Sequence, residues 1–209
     1  MSKHPGAEKW VPQKGGMRKV RAELGSCRGC DLWEDAERAV AGEGPVRAQL
    51  MFVGETPGDH EDKDGHVFVG PAGHLLDKAL VEAGIERSDV YLTNAVKHFR
   101  FELRGKRRIH KTPTASQITA CRPWLVRELE IVKPSLVVVM GSVAAKALLG
   151  STFRVTQERG KRVELPGGLP AVATVHPSAV VRSEEFRRDF GRFVDDLRVA
   201  VELLGQEVV

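Results

Sequence analysis

Four short apolar runs stand out along the chain, at residues 50–53, 90–95, 136–140 and 171–175. Each is bounded by Gly, Pro, Asn or Ser and is too short for a helix, which predicts strands buried on both faces. Between and after them, apolar positions recur at steps of three and four residues. That spacing predicts helices over 73–83, 114–132, 142–149 and 184–204. Thr114 has Gln117 three residues on and follows Pro113, the pattern of a helix-starting capping box. In the last helix Phe186, Phe190, Phe193, Leu197, Val201 and Leu204 fall on one stripe, which is expected to be core. Strands alternating with helices predict an α/β fold. The expected form is a three-layer α/β/α sandwich around a central, mainly parallel four-stranded sheet. Residues 1–24, polar and basic with Pro, Gly and Lys, are expected to be loosely ordered. Residues 25–209 then form a single domain.

In sheets of this kind ligands bind beyond the carboxyl ends of the strands. Four polar segments fall there: Gly54-Glu55-Thr56-Pro57-Gly58-Asp59, Asn94-Ala95-Val96-Lys97-His98, Gly141-Ser142 and His176-Pro177-Ser178. Any one of them could be an ordinary strand end. Four on one edge mark a site.

Composition adds less. With 42% hydrophobic and 29% charged residues the 209-residue chain reads as a soluble globular protein. No apolar run approaches the roughly 20 residues that span a membrane, and the opening residues lack the apolar stretch of a signal peptide. A cytoplasmic monomer without a membrane partner is expected. A pI near 9.1 suits a polyanion, but a net charge of +4 is mild, so local clustering must carry any case for nucleic acid. Such a cluster exists. Residues 97–111 hold seven Lys or Arg and one acid, Glu102, and follow a strand end on the candidate edge. Arg104, Lys106, Arg107 and Arg108 there are candidates for phosphates. The three cysteines, Cys27, Cys30 and Cys121, argue against a disulfide framework. The Cys27-x-x-Cys30 spacing suits a metal or a redox pair, and Cys121 before Pro123 favours metal.

These motifs resemble the iron–sulfur branch of the uracil-DNA glycosylase superfamily. The GETPGD segment is similar to its first motif and His176-Pro177-Ser178 to its second. Phe68-Val69-Gly70-Pro71-Ala72-Gly73 and Thr93-Asn94-Ala95-Val96-Lys97 are similar to segments between them. The likeness runs from about Cys27 into the last helix. Within Gly105-Lys106-Arg107-Arg108-Ile109-His110 lies KRRIH, which resembles the inserted loop of the UdgX type, whose members become covalently attached to DNA. One position departs: the family pattern has Gln after the Glu of the first motif, and Thr56, which reaches less far, stands here.

The resemblance implies a [4Fe–4S] cluster held by Cys27, Cys30, His98 and Cys121, with His98 where ordinary members have Cys. A Cys3His zinc site is the chemical rival. It also implies a flipped uracil bound by Gly54, Asp59, Phe68 and Asn94. The Asn94 amide can match uracil and mismatch cytosine, and the Phe68 ring can stack on the base. Each has a plain alternative, as a strand-ending Asn and a core Phe. His176 is expected to stabilise the leaving uracil anion, Glu55 to act beside the sugar, and His110 to attack C1′. Arg107, Arg108 and Lys111 are expected to keep His110 neutral. Lys106, Arg107, Arg108, Ser178, Val181 and Arg182 are the expected contacts to uracil-containing DNA, single- or double-stranded. Val181 is equally open to a core role. Two alternatives stay open: a multiple-turnover glycosylase that uses water, and a non-catalytic DNA-binding module.

Overall fold

A computed structural model of the protein describes residues 4–207. Its helices are α1 (Met17–Leu24), α2 (Asp59–Asp64), α3 (Pro71–Glu82), α4 (Ala115–Val132), α5 (Gly141–Leu148), α6 (Val155–Glu158), α7 (Pro177–Val181) and α8 (Phe186–Glu207). Its strands are β1 (Leu50–Gly54), β2 (Val90–Asn94), β3 (Phe101–Arg104), β4 (Arg107–His110), β5 (Leu136–Met140), β6 (Arg162–Glu164) and β7 (Pro170–Thr174). The main sheet runs β2-β1-β5-β7-β6, with the first four strands parallel.

Alternation along the buried strands splits the core in two, because successive side chains point to opposite faces. Met51, Val53, Tyr91, Val137, Val139 and Ala171 face α1, α4 and α5. Leu50, Phe52, Leu92, Leu136, Val138 and Val172 face α3 and α8. The result is the expected three-layer α/β/α sandwich, a mixed fold with a mainly parallel sheet.

Several expectations need correction. The sheet has five strands, not four: β6 pairs antiparallel with β7, Val163 opposite Ala171. Its sequence, Arg162-Val163-Glu164, lacks an apolar run because charged side chains flank an edge strand's one partly buried residue. The expected loose segment 1–24 is only partly irregular. Residues 1–3 lie outside the described residues. Residues 17–24 form α1, whose Met17, Val20 and Leu24 are buried. Upstream, Ala7 and Val11 are buried too, and the Ala7 amide bonds to the Ala120 carbonyl at 2.9 Å. Apolar side chains spaced through a polar stretch found a place against α4. In α8 the buried apolar residues are Phe193, Val194, Leu197 and Ala200, while Phe186 and Val201 are exposed. Finally, the basic segment is not a loop. It forms a β3–β4 hairpin with Phe101 opposite His110 and Arg104 opposite Arg107. Gly105, at φ +60°, supplies the left-handed residue that so tight a turn needs.

Behind the carboxyl ends of β1 and β2 lies a buried ion pair. Lys97 Nζ is 2.6 Å from Glu128 Oε2 of α4, with both side chains almost wholly enclosed. Lys97 Nζ also donates to Thr93 Oγ1 (2.7 Å) and to the Asn94 carbonyl (2.9 Å). Glu128 accepts from Thr93 Oγ1 (2.7 Å) and from the Gly42 amide (3.0 Å). Every hydrogen-bonding group is matched, as a charge away from water requires. Glu128→Ala leaves the Lys97 ammonium buried without its partner. It should cost about 3–5 kcal/mol, read as a lowered denaturation midpoint, and Glu128→Gln should cost less.

Candidate active site

The carboxyl edge of the sheet opens into a cavity of about 300 Å³. β1 delivers Glu55 and Thr56, β2 delivers Asn94, and the turn before α7 delivers His176. Ladder bonds continue past the strand ends, from Ala95 N to Gly54 O and from Val96 N to Glu55 O, both 3.0 Å. They hold Glu55 at a defined place. Gly54 lies beneath the floor: a Cβ there would stand 2.5 Å from Asn94 Oδ1 and 2.6 Å from Phe68 Cζ. Phe68, Asp59, His110, Ser178, Val181 and Arg182 line the same cavity. Thus nine of the expected side chains converge, with Gly54 as a tenth residue under them. Val181 is 42% exposed, so it belongs to the rim and not to the core.

Three buried polar atoms in this cavity have no hydrogen-bond partner: Glu55 Oε1, Asn94 Oδ1 and His176 Nε2. Leaving such atoms unsatisfied costs about 1–3 kcal/mol each, so orphans gathered in one cavity describe what it is built to receive. The His176 tautomer follows from its neighbours. The Ser178 amide donates to His176 Nδ1 at 3.2 Å, so Nδ1 carries no proton in the neutral ring and Nε2–H points into the cavity. Burial, His110 and Arg182 push the His176 pKa down to about 4, so the ring is neutral at pH 7. Ser178 Oγ, expected at DNA, also engages Nδ1, at 2.8 Å. Burial raises the Glu55 carboxyl above its ordinary range, against the pull of Arg182, Thr112 and Lys146. The cavity therefore offers an amide oxygen that accepts, an imidazole N–H that donates, and a carboxylate.

His110, the last residue of β4, stands exposed at the mouth, its ring 5.9 Å from that of Phe99. Its pKa is lowered, chiefly because the protein around the ring displaces part of its water although the residue keeps an exposed side, and then by Arg182 and Arg100, against Glu61. Arg107, Arg108 and Lys111, the expected cause, are not among these. Arg108 is also not free for phosphate. Its guanidinium meets Asp59 (2.5 Å), Asp62 (2.7 Å) and Glu37 (3.2 Å) and is largely covered. Lys106 and Arg107 are exposed at the hairpin turn. Asp59 lines the cavity, but its carboxylate is taken by Lys63 and Arg108, whose hydrogen bonds outweigh burial and hold its pKa down.

Sequence reasoning missed Glu61 and Thr112. Glu61 Oε1 accepts from the Val69 and Gly70 amides (3.0 and 2.8 Å), and Oε2 from the Gly58 amide (2.9 Å). It thereby ties the first motif to the Phe68 loop. Phe68 sits at φ +55°, a region costly for a bulky side chain, and Gly73 packs so closely that a Cβ would lie 1.8 Å from the Phe68 carbonyl oxygen. The only sequence signal was an acid two places beyond Asp59. Thr112 joins Glu55 through its side chain, and nothing in its own sequence context marks that.

A second, much smaller cavity, of about 10 Å³, is lined by Cys27, Cys30, His98 and Cys121 together with Gly29, Lys97, Ala120 and Trp124. The four expected donors, distant in sequence, are thus brought to one place. Among the described residues, no three His, Cys, Asp or Glu side chains close on a single-ion position; these four ring a space instead. Trp124 Nε1 donates to Cys27 Sγ (3.2 Å) and the Lys97 amide to Cys121 Sγ (3.3 Å). Burial pushes the Cys30 and Cys121 thiols up to about 11 and 12 and pushes His98 down to about 4. The thiolates would therefore need a bound cationic group to form, while the imidazole keeps its lone pair. Three cysteines and a histidine around one place are a donor set that suits an iron–sulfur cluster. Thr56 Oγ1 donates to the His98 carbonyl at 2.7 Å, so the residue in place of the family Gln braces the donor loop.

A doubly covered parallel sheet with this cavity at its carboxyl edge is the setting in which the family comparison falls. The family described as the uracil DNA glycosylase superfamily matches residues 41–198, and the chain belongs to it. Its relatives include the type-4 uracil-DNA glycosylase of Thermotoga maritima, 37% identical over 175 residues that cover 82% of this chain and 88% of that one. The type-4 enzyme of Sulfurisphaera tokodaii is 35% identical over 188 residues, 82% of each chain. That of Archaeoglobus fulgidus is 32% identical over 192 residues, 88% of this chain and 92% of its own.

The buried neutral state of His176 has a consequence for stability. Its folded pKa of about 4 lies below the ordinary 6.5, so between these values the unfolded chain binds more protons. The contribution of this ring is intact above pH 6.5 and is lost as pH falls toward 4. Urea midpoints measured from pH 7 to 4 should fall less steeply in His176→Asn than in the wild type.

Proposed function

We propose that this uracil-DNA glycosylase excises uracil from DNA and is left covalently joined to the abasic site through His110. The observation that carries the reading is that His110 lines the same cavity as Glu55 Oε1, Asn94 Oδ1 and His176 Nε2, the three unpartnered atoms. A flipped uracil would give its N3–H to Asn94 Oδ1 and take the His176 Nε2–H on a carbonyl oxygen. Cytosine has no N3–H to give. Phe68 would stack on the ring.

As the bond from C1′ to the base nitrogen breaks, charge moves onto uracil, where the neutral His176 N–H stabilises it. Glu55, which lines the same cavity, would balance positive character on the sugar. In the covalent step the His110 lone pair forms a nitrogen–C1′ bond as the base leaves with the electron pair of the old one. The imidazole N–H proton is lost, with Glu55 of the same cavity as its acceptor, and uracil gains a proton on the departed nitrogen. The alkylated ring has no easy leaving route, so one protein is consumed per uracil. The lowered pKa of His110 supports this by keeping its lone pair available at neutral pH. Lys106 and Arg107 at the hairpin turn, with Val181 and Arg182 across the rim, would hold the strand and fill the vacated stack.

Denaturing electrophoresis of the protein with uracil-containing DNA tests this. A shifted band stable to heat and detergent is expected. His110→Ser should abolish it while some free abasic DNA still forms, because water can enter. The rate of adduct formation should be flat near neutrality and fall only on the acid side of the ordinary imidazole range, as His110, whose pKa is lowered, takes up a proton. The type-4 relatives make turnover by water the rival, and repeated release of uracil by wild-type protein without an adduct would establish it.

The reading includes a [4Fe–4S] cluster on Cys27, Cys30, His98 and Cys121, supported by the shared cavity and the N–H bonds to two of its sulfurs. When bound, it supplies a covalent staple between the segment after α1, the end of β2 and α4. Purified protein should be brown and contain iron. Cys30→Ala should lose the colour and lower the melting temperature before chemistry is considered. Zinc in place of iron would overturn the cluster.

A further inference from the structure

We propose that Arg108 is a positioning residue, the latch that seats the β3–β4 hairpin and with it His110 against the cavity. The inference rests on the reading of His110 as the attacking group. Strand geometry is its starting point. Residues two apart, and residues paired across a hairpin, share a face. Phe101 pairs with His110 and Leu103 with Arg108, so Phe101, Leu103, Arg108 and His110 lie on one face. Glu102, Arg104, Arg107 and Ile109 lie on the other.

The first face meets the protein body through Phe101 and Arg108, while Leu103 nearer the turn is 67% exposed, and its anchorage is Arg108. The guanidinium reaches Asp59 Oδ1 through Nε at 2.5 Å and Asp62 Oδ2 through Nη1 at 2.7 Å, and meets Glu37 Oε1 at 3.2 Å. Nη2 also approaches the Asp59 carbonyl at 3.4 Å. Asp62 is wholly buried and is itself fixed by the Glu37 and Arg38 amides. The charged group lies 5.1 Å from the Phe101 ring centre and 5.5 Å from that of Phe99. These rings stack on each other at 5.0 Å, and Phe99 packs against His110 at 5.9 Å. One packed path therefore links the ionic latch to the imidazole. A phosphate could reach Arg108 only by displacing carboxylates, and three acids around one guanidinium would repel it. The motif therefore divides: Lys106 and Arg107 face solvent, Arg108 fastens, and His110 acts.

The experiment uses three protein pairs on uracil-containing single-stranded DNA. Arg108→Ala should slow adduct formation tenfold or more, since a displacement of about 1 Å at a reacting group can cost 10²-fold. Arg108→Lys, which keeps the charge but not the fork, should recover part of that rate and also covers the case in which the alanine variant fails to fold. In a His110→Ser background, Arg108→Ala should change water-dependent uracil release by no more than about twofold. The slope of log Kd against log salt should stay as in the wild type, whereas loss of a phosphate contact would lower it by about one. Amide exchange in residues 101–110 should quicken in Arg108→Ala. A wild-type adduct rate, or a salt slope reduced by one, would overturn the latch. If wild-type protein forms no adduct, the reading of His110 fails separately, and unchanged hairpin exchange in Arg108→Ala would still refute the latch.

Discussion

Lys97 and Glu128 form the contact on which both sites depend. A parallel sheet must end its strands somewhere, and at the end of β2 the backbone groups that carry Asn94 into the cavity leave the ladder. Lys97 turns its ammonium back onto the Asn94 carbonyl and binds Glu128 in α4. The Lys97 amide meanwhile points to Cys121 Sγ. On α4, Cys121, Trp124 and Glu128 are spaced three and four residues apart and so share a face. The helix that holds a sulfur donor thus also holds the counter-ion of the residue that fixes Asn94. Taking two charges out of water is costly, and only their full set of partners offsets it.

A second organising element is the six-residue helix α2. Three of its carboxylates are divided between two walls of the cavity. Glu61 gathers three backbone amides and holds the Phe68 loop in its costly left-handed turn. Asp59 and Asp62 hold the hairpin. Both walls of the cavity are therefore referred to one short helix that follows directly from β1, the strand that carries Glu55. The acids sit within the first turn of the helix, where its amide dipoles favour negative charge.

The electrostatics favour neutral imidazoles beside a carboxylate. Burial and the exposed Arg182 act in the same direction on His110 and His176, discouraging the imidazolium in each. In the proposed reaction the two rings would take opposite parts, one as hydrogen-bond donor and one as lone-pair holder. The donor is assigned by a local bond, the Ser178 amide on Nδ1. This is a property of the His-Pro-Ser turn and needs no distant residue.

By itself the sequence determined the parallel strands, the main helices and the four polar strand ends, because burial on both faces writes an uninterrupted apolar run and helix starts write a capping box. It also led to one shared cavity for Glu55, Asn94 and His176, since strand ends in such a sheet must converge, and to the three cysteines that the fold gathers with His98. The tertiary structure alone decided what depends on partners far along the chain. The edge strand β6 borrows its ladder from β7, and α1 gains its helix from packing on α4. Arg108 reads as one more cation in a basic run until the fold brings Glu37, Asp59 and Asp62 to it. Glu61 reads as a surface acid until three amides turn toward it. Charge in a sequence states what a side chain carries, while its solvation and its neighbours, which fix what that charge does, are set only when the chain closes on itself.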